Sequence, residues 1–361
     1  MSGITGRKTP TTMAGAALLI ASIAAAPAAA KDHKNKPDGS ALPRFSIAFV
    51  AEKDVFGRES LDRDYSNGLE MSLLTGERLT PEYARRLADL IATSDDYEVR
   101  AHAAIGQQIF TPDELGLTVP EVGDRNYAGL LYGSVGLLIA EEQGGETSNR
   151  HRFDQIQFLF GVVGPASQAD SLQIWYHDVI KGIDPRGWDA QIDNRAAFEF
   201  SWRRTHLLPL NYRPDRLFGM QVAPHYGARL GNLTTSANIG ATLRIGMNLP
   251  ADLTPSLMQP NLPGAAFFRQ KGSTNGFYVF AGVDGRYVAE SLVLDAPSSL
   301  GNRVDKKNLV GDIQVGVAGY YKIKGVPATR ISYTHVIRSR EYLTQDREGS
   351  EFGSLQIAFN F

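Results

Sequence analysis

From about residue 45 to the C-terminus, apolar side chains fall on every second position in one segment after another. The clearest run is 237–249, where Ala237, Ile239, Ala241, Leu243, Ile245 and Met247 alternate with Asn238, Gly240, Thr242, Arg244, Gly246 and Asn248. A period of two belongs to the β-strand, whose successive side chains point to opposite faces. Segments of about ten residues with one apolar and one polar face suit a membrane-spanning β-barrel, because lipid touches only one side of each strand. Similar runs occur near 45–49, 69–73, 97–105, 131–139, 156–162, 198–204, 218–230, 277–287, 313–323, 328–338 and 355–361. The expected fold is all-β: a transmembrane antiparallel barrel of about twelve strands. A soluble sandwich would instead turn its apolar face inward.

Composition narrows the function classes. The absence of cysteine excludes disulfide scaffolds, zinc fingers, iron–sulfur sites and thiol nucleophiles. A net charge of −2 without Lys/Arg blocks excludes nucleic acid as a partner. The mean hydropathy of −0.21 excludes a helical membrane bundle. At the N-terminus, Arg7 and Lys8 precede an apolar stretch from Ala16 to Ala26, then Pro27-Ala-Ala-Ala30 and the charged Lys31. That order describes a secretory signal peptide over 1–30, followed by a polar leader over 31–43 and a barrel domain over 44–361. Leu355, Ile357, Phe359 and Phe361 give the last strand the aromatic ending that resembles the assembly signal of bacterial outer-membrane barrels. The barrel assembly machinery is the one protein partner expected. An even strand number places both termini on the periplasmic side, so the odd-numbered connections open outward. Residues 80–91 read as a structural helical insert in the first inner turn.

Three of the outward connections carry chemistry. The first contains Glu52-Lys53-Asp54 and Asp62-Arg-Asp-Tyr-Ser66-Asn-Gly68, and the second contains Asp124-Arg125-Asn-Tyr127-Ala-Gly129. Parity predicts lumen-side faces for Asp54 and Ser66, and a lipid-side face for Lys53, which would snorkel toward lipid phosphates. The third and longest connection reads as a short helix capped by Ser167 and ended by Lys181 and Gly182, with Pro185 beyond. Gln173 and His177 lie four residues apart and so share a helix face. A neutral imidazole takes a proton from water near physiological pH, and a carboxylate can hold Ca²⁺. The competing reading is a capping helix whose polar residues only satisfy one another. No Gly-x-Ser-x-Gly elbow, P-loop or His-Glu-x-x-His occurs. His102, His206, His225 and His335 read as lumen packing or rim polarity, and Trp175 and Trp188 flank the candidate site.

The same segments resemble the outer-membrane lipid A 3′-O-deacylase family of the LpxR type. Glu52-Lys-Asp54 is similar to its Glu-Asn-Asp element, and Asp62 to Gly68 to its Asp-Arg-x-Tyr-Thr-Asn-Gly. Asp124 to Gly129 resembles Asp-Arg-Pro-Tyr-Ala-Gly, and the longest signature matches Gly161-Val-Val-Gly-Pro165, Gln173-x-x-x-His177 and Gly187-Trp188-x-x-Gln191. The resemblance implies a twelve-stranded barrel in the outer membrane of a Gram-negative bacterium, with a site facing the extracellular side between the wall and the loop helix. It implies hydrolysis of an ester-linked 3′-acyl chain of lipid A in the outer-leaflet lipopolysaccharide. By that resemblance His177 activates water, Gln173 orients it, and Asp54 and Ser66 line a Ca²⁺ or substrate site. Arg125, Tyr127, Trp188 and Lys53 are expected to border the substrate or the rim. Lys53 stands where the family carries Asn. Ile183 replaces an acidic residue of the family's cation site, for which the adjacent Asp184 is the substitute. A phospholipase and a catalytically inactive lipid-binding barrel are the alternative functions.

Overall fold

The computed structural model describes residues 44–54, 63–93, 97–143, 150–180, 183–210, 218–253, 257–258, 266–269, 275–298, 300, 302–323, 325–345 and 349–361. The expected signal peptide and leader, and Asp62 of the first motif, lie outside the described residues.

Alternation becomes strand wherever it was expected. The elements are β1 (Phe45–Lys53), β2 (Asp64–Thr75), α1 (Glu82–Asp89), β3 (Tyr97–Thr111), β4 (Ala128–Gln143), β5 (Arg150–Val163), α2 (Ala169–Ile180), β6 (Arg195–Pro209), β7 (Phe218–Gly231) and β8 (Thr234–Met247). Two short strands follow, β9 (Ala251–Asp252) and β10 (Phe268–Arg269), then β11 (Gly276–Ser291), α3 (Leu292–Asp295), β12 (Leu309–Tyr321), β13 (Ala328–Ser339) and β14 (Gly349–Asn360). Twelve strands, all but β9 and β10, form one closed barrel. Its neighbours pair antiparallel, and closure is made by β1 against β14, with Ser46 opposite Asn360 and Lys53 opposite Gly353. Phe361 stacks on Phe45 with ring centroids 4.8 Å apart. Closure leaves no open strand edge, which a lipid environment demands of a sheet. Among the described residues no helix is long and apolar enough to cross a membrane.

The outer face is a belt of exposed apolar side chains, among them Phe49, Met71, Phe158, Phe160, Phe198, Phe200, Ile239 and Val283. The inner face is polar and filled. Arg244 and Arg330 are fully buried, and Arg338 and Arg286 both pair with Asp312. His225 Nε2 lies 2.8 Å from Asp284. His206, three residues before the end of β6 and so near the rim, stacks on Tyr226.

The connection between β8 and β11 begins and ends at the rim that holds both termini, yet it climbs through the lumen. Asp252 accepts hydrogen bonds from Arg244, Arg330 and Tyr278. Higher up, the Met258 amide donates to Glu52 over 2.9 Å, close to the opposite end of β1. The segment returns past Phe267, which packs on Phe153 with centroids 5.5 Å apart, and Asn360 donates to the Phe268 carbonyl. The described part of the connection thus fills part of the lumen.

Candidate active site

Most of the outer wall is bare, but the connection from β5 to β6 folds over part of it at the rim opposite the termini. The chain leaves β5 through Gly164, whose φ of 106° suits glycine alone. A Cβ there would meet the Ile192 carbonyl oxygen at 2.7 Å. Pro165–Ser167 make one tight turn, and α2 follows it. Ser167, expected as the helix cap, is held inside that turn because Pro165 starts the coil early. Its carbonyl instead accepts a hydrogen bond from Gln107 Nε2 at 2.7 Å. Lys181 and Gly182 lie outside the described residues.

Gln107, Ile109 and Gly129 carry the outward parity of their strands, and all three lie under this connection. A Cβ on Gly129 would stand 2.2 Å from both Ala169 Cβ and Ser167 Oγ, so the helix start rests directly on the β4 backbone. Ile109, Leu115, Tyr127, Ala169 and Trp188 form a buried cluster beneath it, with Leu172 against them. The Tyr127 and Trp188 rings lie 5.0 Å apart, and the Tyr127 hydroxyl donates to the Leu115 carbonyl at 3.1 Å. Burial pushes the Tyr127 phenol well above its ordinary pKa, which keeps it a neutral donor.

Gln173 and His177 both face this floor, 4% and 5% exposed. Gln173 Oε1 accepts from Trp188 Nε1 at 2.9 Å. His177 Nδ1 lies 2.5 Å from the Ile183 carbonyl oxygen. A carbonyl only accepts, so Nδ1 carries a proton, and in the neutral imidazole Nε2 then holds the lone pair with which it acts as a base. On the neighbouring position, the Tyr176 ring stands over Lys53, with Nζ 3.9 Å from the ring centroid, and lies 6.0 Å from the His177 ring.

Two expectations are corrected here. Lys53 does point outward, but α2 covers it and leaves it 6% exposed, so it meets a ring rather than lipid headgroups. Ser66 was expected on the lumen side. A bulge between Tyr65 and Asn67 breaks the alternation. Ser66 Oγ consequently meets Thr111 Oγ1 at 2.5 Å, and Thr111 shares the outward parity of Gln107 and Ile109.

Asp54 ends β1, buried, and accepts the Arg63 amide at 2.8 Å. Arg125 was expected at the substrate or the rim, and it takes the rim, on the other side of the wall from His177. It packs 4.8 Å over the Phe110 ring and lies 3.9 Å from Asp64 and 3.8 Å from Glu341, locked in the lumen-side rim.

The expected Ca²⁺ ligands do not converge. Calcium takes about six to eight oxygen ligands. Asp184 is 70% exposed and pairs with Arg186 at 3.6 Å. Ser66 is engaged with Thr111, and the residue preceding Asp54 is itself a cation. Among the described residues no three His, Asp or Glu side chains gather into a metal-binding group. Among the described residues the donors do not fit the ion.

A family model described as outer membrane protein LpxR matches residues 16–361. The chain belongs to the LpxR family. The structure of LpxR from Salmonella typhimurium matches with a TM-score of 0.65 at 20% identity, covering 88% of this chain and 100% of that one. It is therefore the same outer-membrane barrel fold. The β domain of the Bordetella autotransporter BrkA matches at a TM-score of 0.44 and 10% identity, over 89% of this chain and 100% of that one. The translocator domain of NalP from Neisseria meningitidis matches at 0.40 and 7% identity, over 90% of each. No curated protein matches.

In this LpxR-family barrel, the motif segments around 53, 66, 127–129, 164–177 and 187–191 are the ones that meet at the outer wall. Four participants escaped sequence reasoning. The Ile183 carbonyl carries no residue-type signal at all. Gln107 and Thr111 did carry one: each is a polar side chain on the otherwise apolar face of β3. Tyr176 was overshadowed by its neighbour His177.

Proposed function

We propose that this LpxR-family barrel is an outer-membrane esterase that removes the 3′-acyl chain of lipid A from the outer leaflet. The observation that carries the reading is the position of His177: a buried imidazole, its tautomer set by the Ile183 carbonyl, on the lipid-facing wall rather than in the lumen. Ile174, Trp175, Val179 and Ile183 are exposed apolar side chains around the same helix, a surface on which an acyl chain lies without leaving an apolar environment.

The reaction balances with this chain's own groups. His177 Nε2 takes a proton from water as the water oxygen bonds to the ester carbonyl carbon. The tetrahedral intermediate then collapses, the C–O bond to the sugar breaks, and the imidazolium returns the proton to the sugar oxygen. The products are one fatty acid and one free 3′-hydroxyl. Gln173 Nε2, a buried amide donor, orients the water or the carbonyl, while Asp54 and Ser66 line the site with Tyr127 and Trp188 as its aromatic floor. No step is assigned to a metal ion, because the described donor set does not fit one.

Product identity tests the assignment. The barrel, refolded in mixed micelles of lipid A and phospholipid, is expected to release fatty acid together with 3′-deacylated lipid A. Lysophospholipid as the sole second product would replace this reading with a phospholipase, and no acyl release of any kind would leave a lipid-binding barrel.

A further inference from the structure

The connection from β2 to β3, at the rim that holds both termini, contains α1, a helix the candidate site does not use. We infer that α1 is an interfacial anchor, with one flank seated in the acyl chains of the lipid leaflet at that rim and the other facing headgroups and water. In the orientation expected of an even-stranded barrel, this is the phospholipid leaflet on the periplasmic side. The inference does not depend on the esterase reading.

Strand parity places the helix. Gln107 and Gly129 mark the outward face of β3 and β4, and Val99, Ala101, Leu137 and Ile139 share that face. On a bare wall such side chains stay exposed, as Ile239 and Val283 do, yet all four are buried. Ala84 of α1 packs on Ala101 and Leu137, and Ala88 packs on Val99 and Ile139. Small residues four apart let the helix lie close against the wall. Its surroundings tie down both ends. The Thr80 hydroxyl donates to the Val99 carbonyl at 2.9 Å, and Arg152 Nη2 of β5 donates to the Ile91 carbonyl at 3.3 Å.

With Ala84 and Ala88 on the wall, the remaining side chains sort into two flanks. Leu79, Tyr83, Leu87 and Leu90, spaced by four and three, form an apolar flank, and every one is exposed, Tyr83 to 66% and Leu90 to 81%. Glu82, Arg85, Arg86 and Asp89 form the polar flank. Asp89 accepts the hydroxyl of Tyr97, the first residue of β3, which turns the polar flank toward the strand end.

Three observations name lipid as the occupant. First, the wall beside the helix continues into the lipid-facing belt: Ile156 packs against the Ala88 cluster, and Phe158 and Phe160 follow it, exposed, on the same face of β5. Second, the height fits. The 15 residues of β3, at about 3.4 Å each and a tilt of about 40°, reach about 39 Å along the barrel axis, so an apolar band about 25 Å tall leaves about 7 Å beyond it at each rim. Val99 and Ala101 stand about 5 and 10 Å from the start of β3, so α1 straddles the edge of the band. Third, the outward face of the neighbouring strands turns polar at this level. Asp154, opposite Ile139 in register, accepts Trp202 Nε1 at 3.1 Å and Arg204 Nε at 2.8 Å. An indole and charged groups on the lipid side of a wall mark the boundary between hydrocarbon and headgroups.

The chain has no cysteine, so one introduced cysteine labels a single place. Leu87→Cys and Arg86→Cys are each coupled to an environment-sensitive fluorophore. The full barrel is refolded into phosphatidylcholine vesicles with or without bromine on the acyl chains, and heat-modifiable mobility verifies folding. The label at position 87 is expected to emit at shorter wavelength and to be quenched several-fold more by brominated lipid than the label at 86. Iodide on both sides of the bilayer should quench the label at 86 more. Tyr83→Cys and Glu82→Cys repeat the comparison one turn earlier, so the result does not hang on one labelled pair. Equal iodide quenching at 86 and 87 would place the apolar flank in water and overturn the inference. Equal quenching of both by brominated lipid would remove the two-sided seating and overturn it too. A label at 87 that neither quencher reaches would mean that protein, such as a second copy of this chain, covers the flank, and this also contradicts the inference.

Discussion

Replacing His177 with Ala is expected to reduce acyl release from lipid A by about 10²- to 10⁴-fold, the usual worth of a positioned general base. The substitution removes Nε2 and the Nδ1 bond to Ile183, but leaves what holds α2 to the wall. Ala169 still rests on Gly129, Gln107 still holds the Ser167 carbonyl, and Trp188 still donates to Gln173. The barrel therefore keeps its folded, heat-modifiable mobility on a gel, and the loss falls on kcat. His177→Gln, which keeps a polar side chain of similar reach, is expected to be as inactive, since an amide does not accept a proton from water at neutral pH. Acyl release by either variant within a fewfold of the native rate would remove His177 from the chemistry.

The second large effect lies in the lumen. Asp252 is fully buried and accepts from Arg244, Arg330 and the Tyr278 hydroxyl, tying the climbing connection to β8, β11 and β13. Asp252→Ala leaves two guanidinium groups buried without their carboxylate. Breaking a buried ion pair from one side costs roughly 3–5 kcal/mol, because the remaining charge is uncompensated. Urea unfolding of the barrel in lipid vesicles is expected to show that loss, together with faster leakage of small solutes as the connection loosens. Removing the charges together, Asp252→Ala with Arg244→Met and Arg330→Met, should recover most of the stability, since an apolar replacement of similar volume has no charge left to solvate. If the single variant is as stable and as tight as the native barrel, Asp252 does not hold the connection.

How far these features were legible in the sequence follows from what fixes each one. Strand number, order and face are set by lipid on one side and water or protein on the other. A two-residue period therefore predicted β1 through β14 apart from the short inner pair. The inner pair was hidden because residues 248–275 obey no period; the place of its described residues in the lumen comes from Asp252 and Met258 finding partners on four distant strands. At the site, residue types and helix spacing named Gln173 and His177, and loop parity put their connection on the rim opposite the termini. The reading then fell short at two residues for two reasons. At Ser66 a single inserted residue rotates the side chain to the other face, and nothing in Tyr65-Ser66-Asn67 announces the bulge. At Lys53 the face was right and the environment wrong, because α2 arrives there from more than a hundred residues away in the chain. Arg125 illustrates the converse: it lies inside a matching motif, yet packing against Phe110 and two carboxylates turns it inward.

The most direct measurement is the mass of lipid A extracted from a Gram-negative host that makes the 3′-acylated form and carries the full chain in its outer membrane. Cells expressing the native chain should yield lipid A lighter by one 3′-acyl group, and cells expressing His177→Ala should not. Unaltered lipid A from cells whose outer membrane holds the folded native barrel would contradict the account.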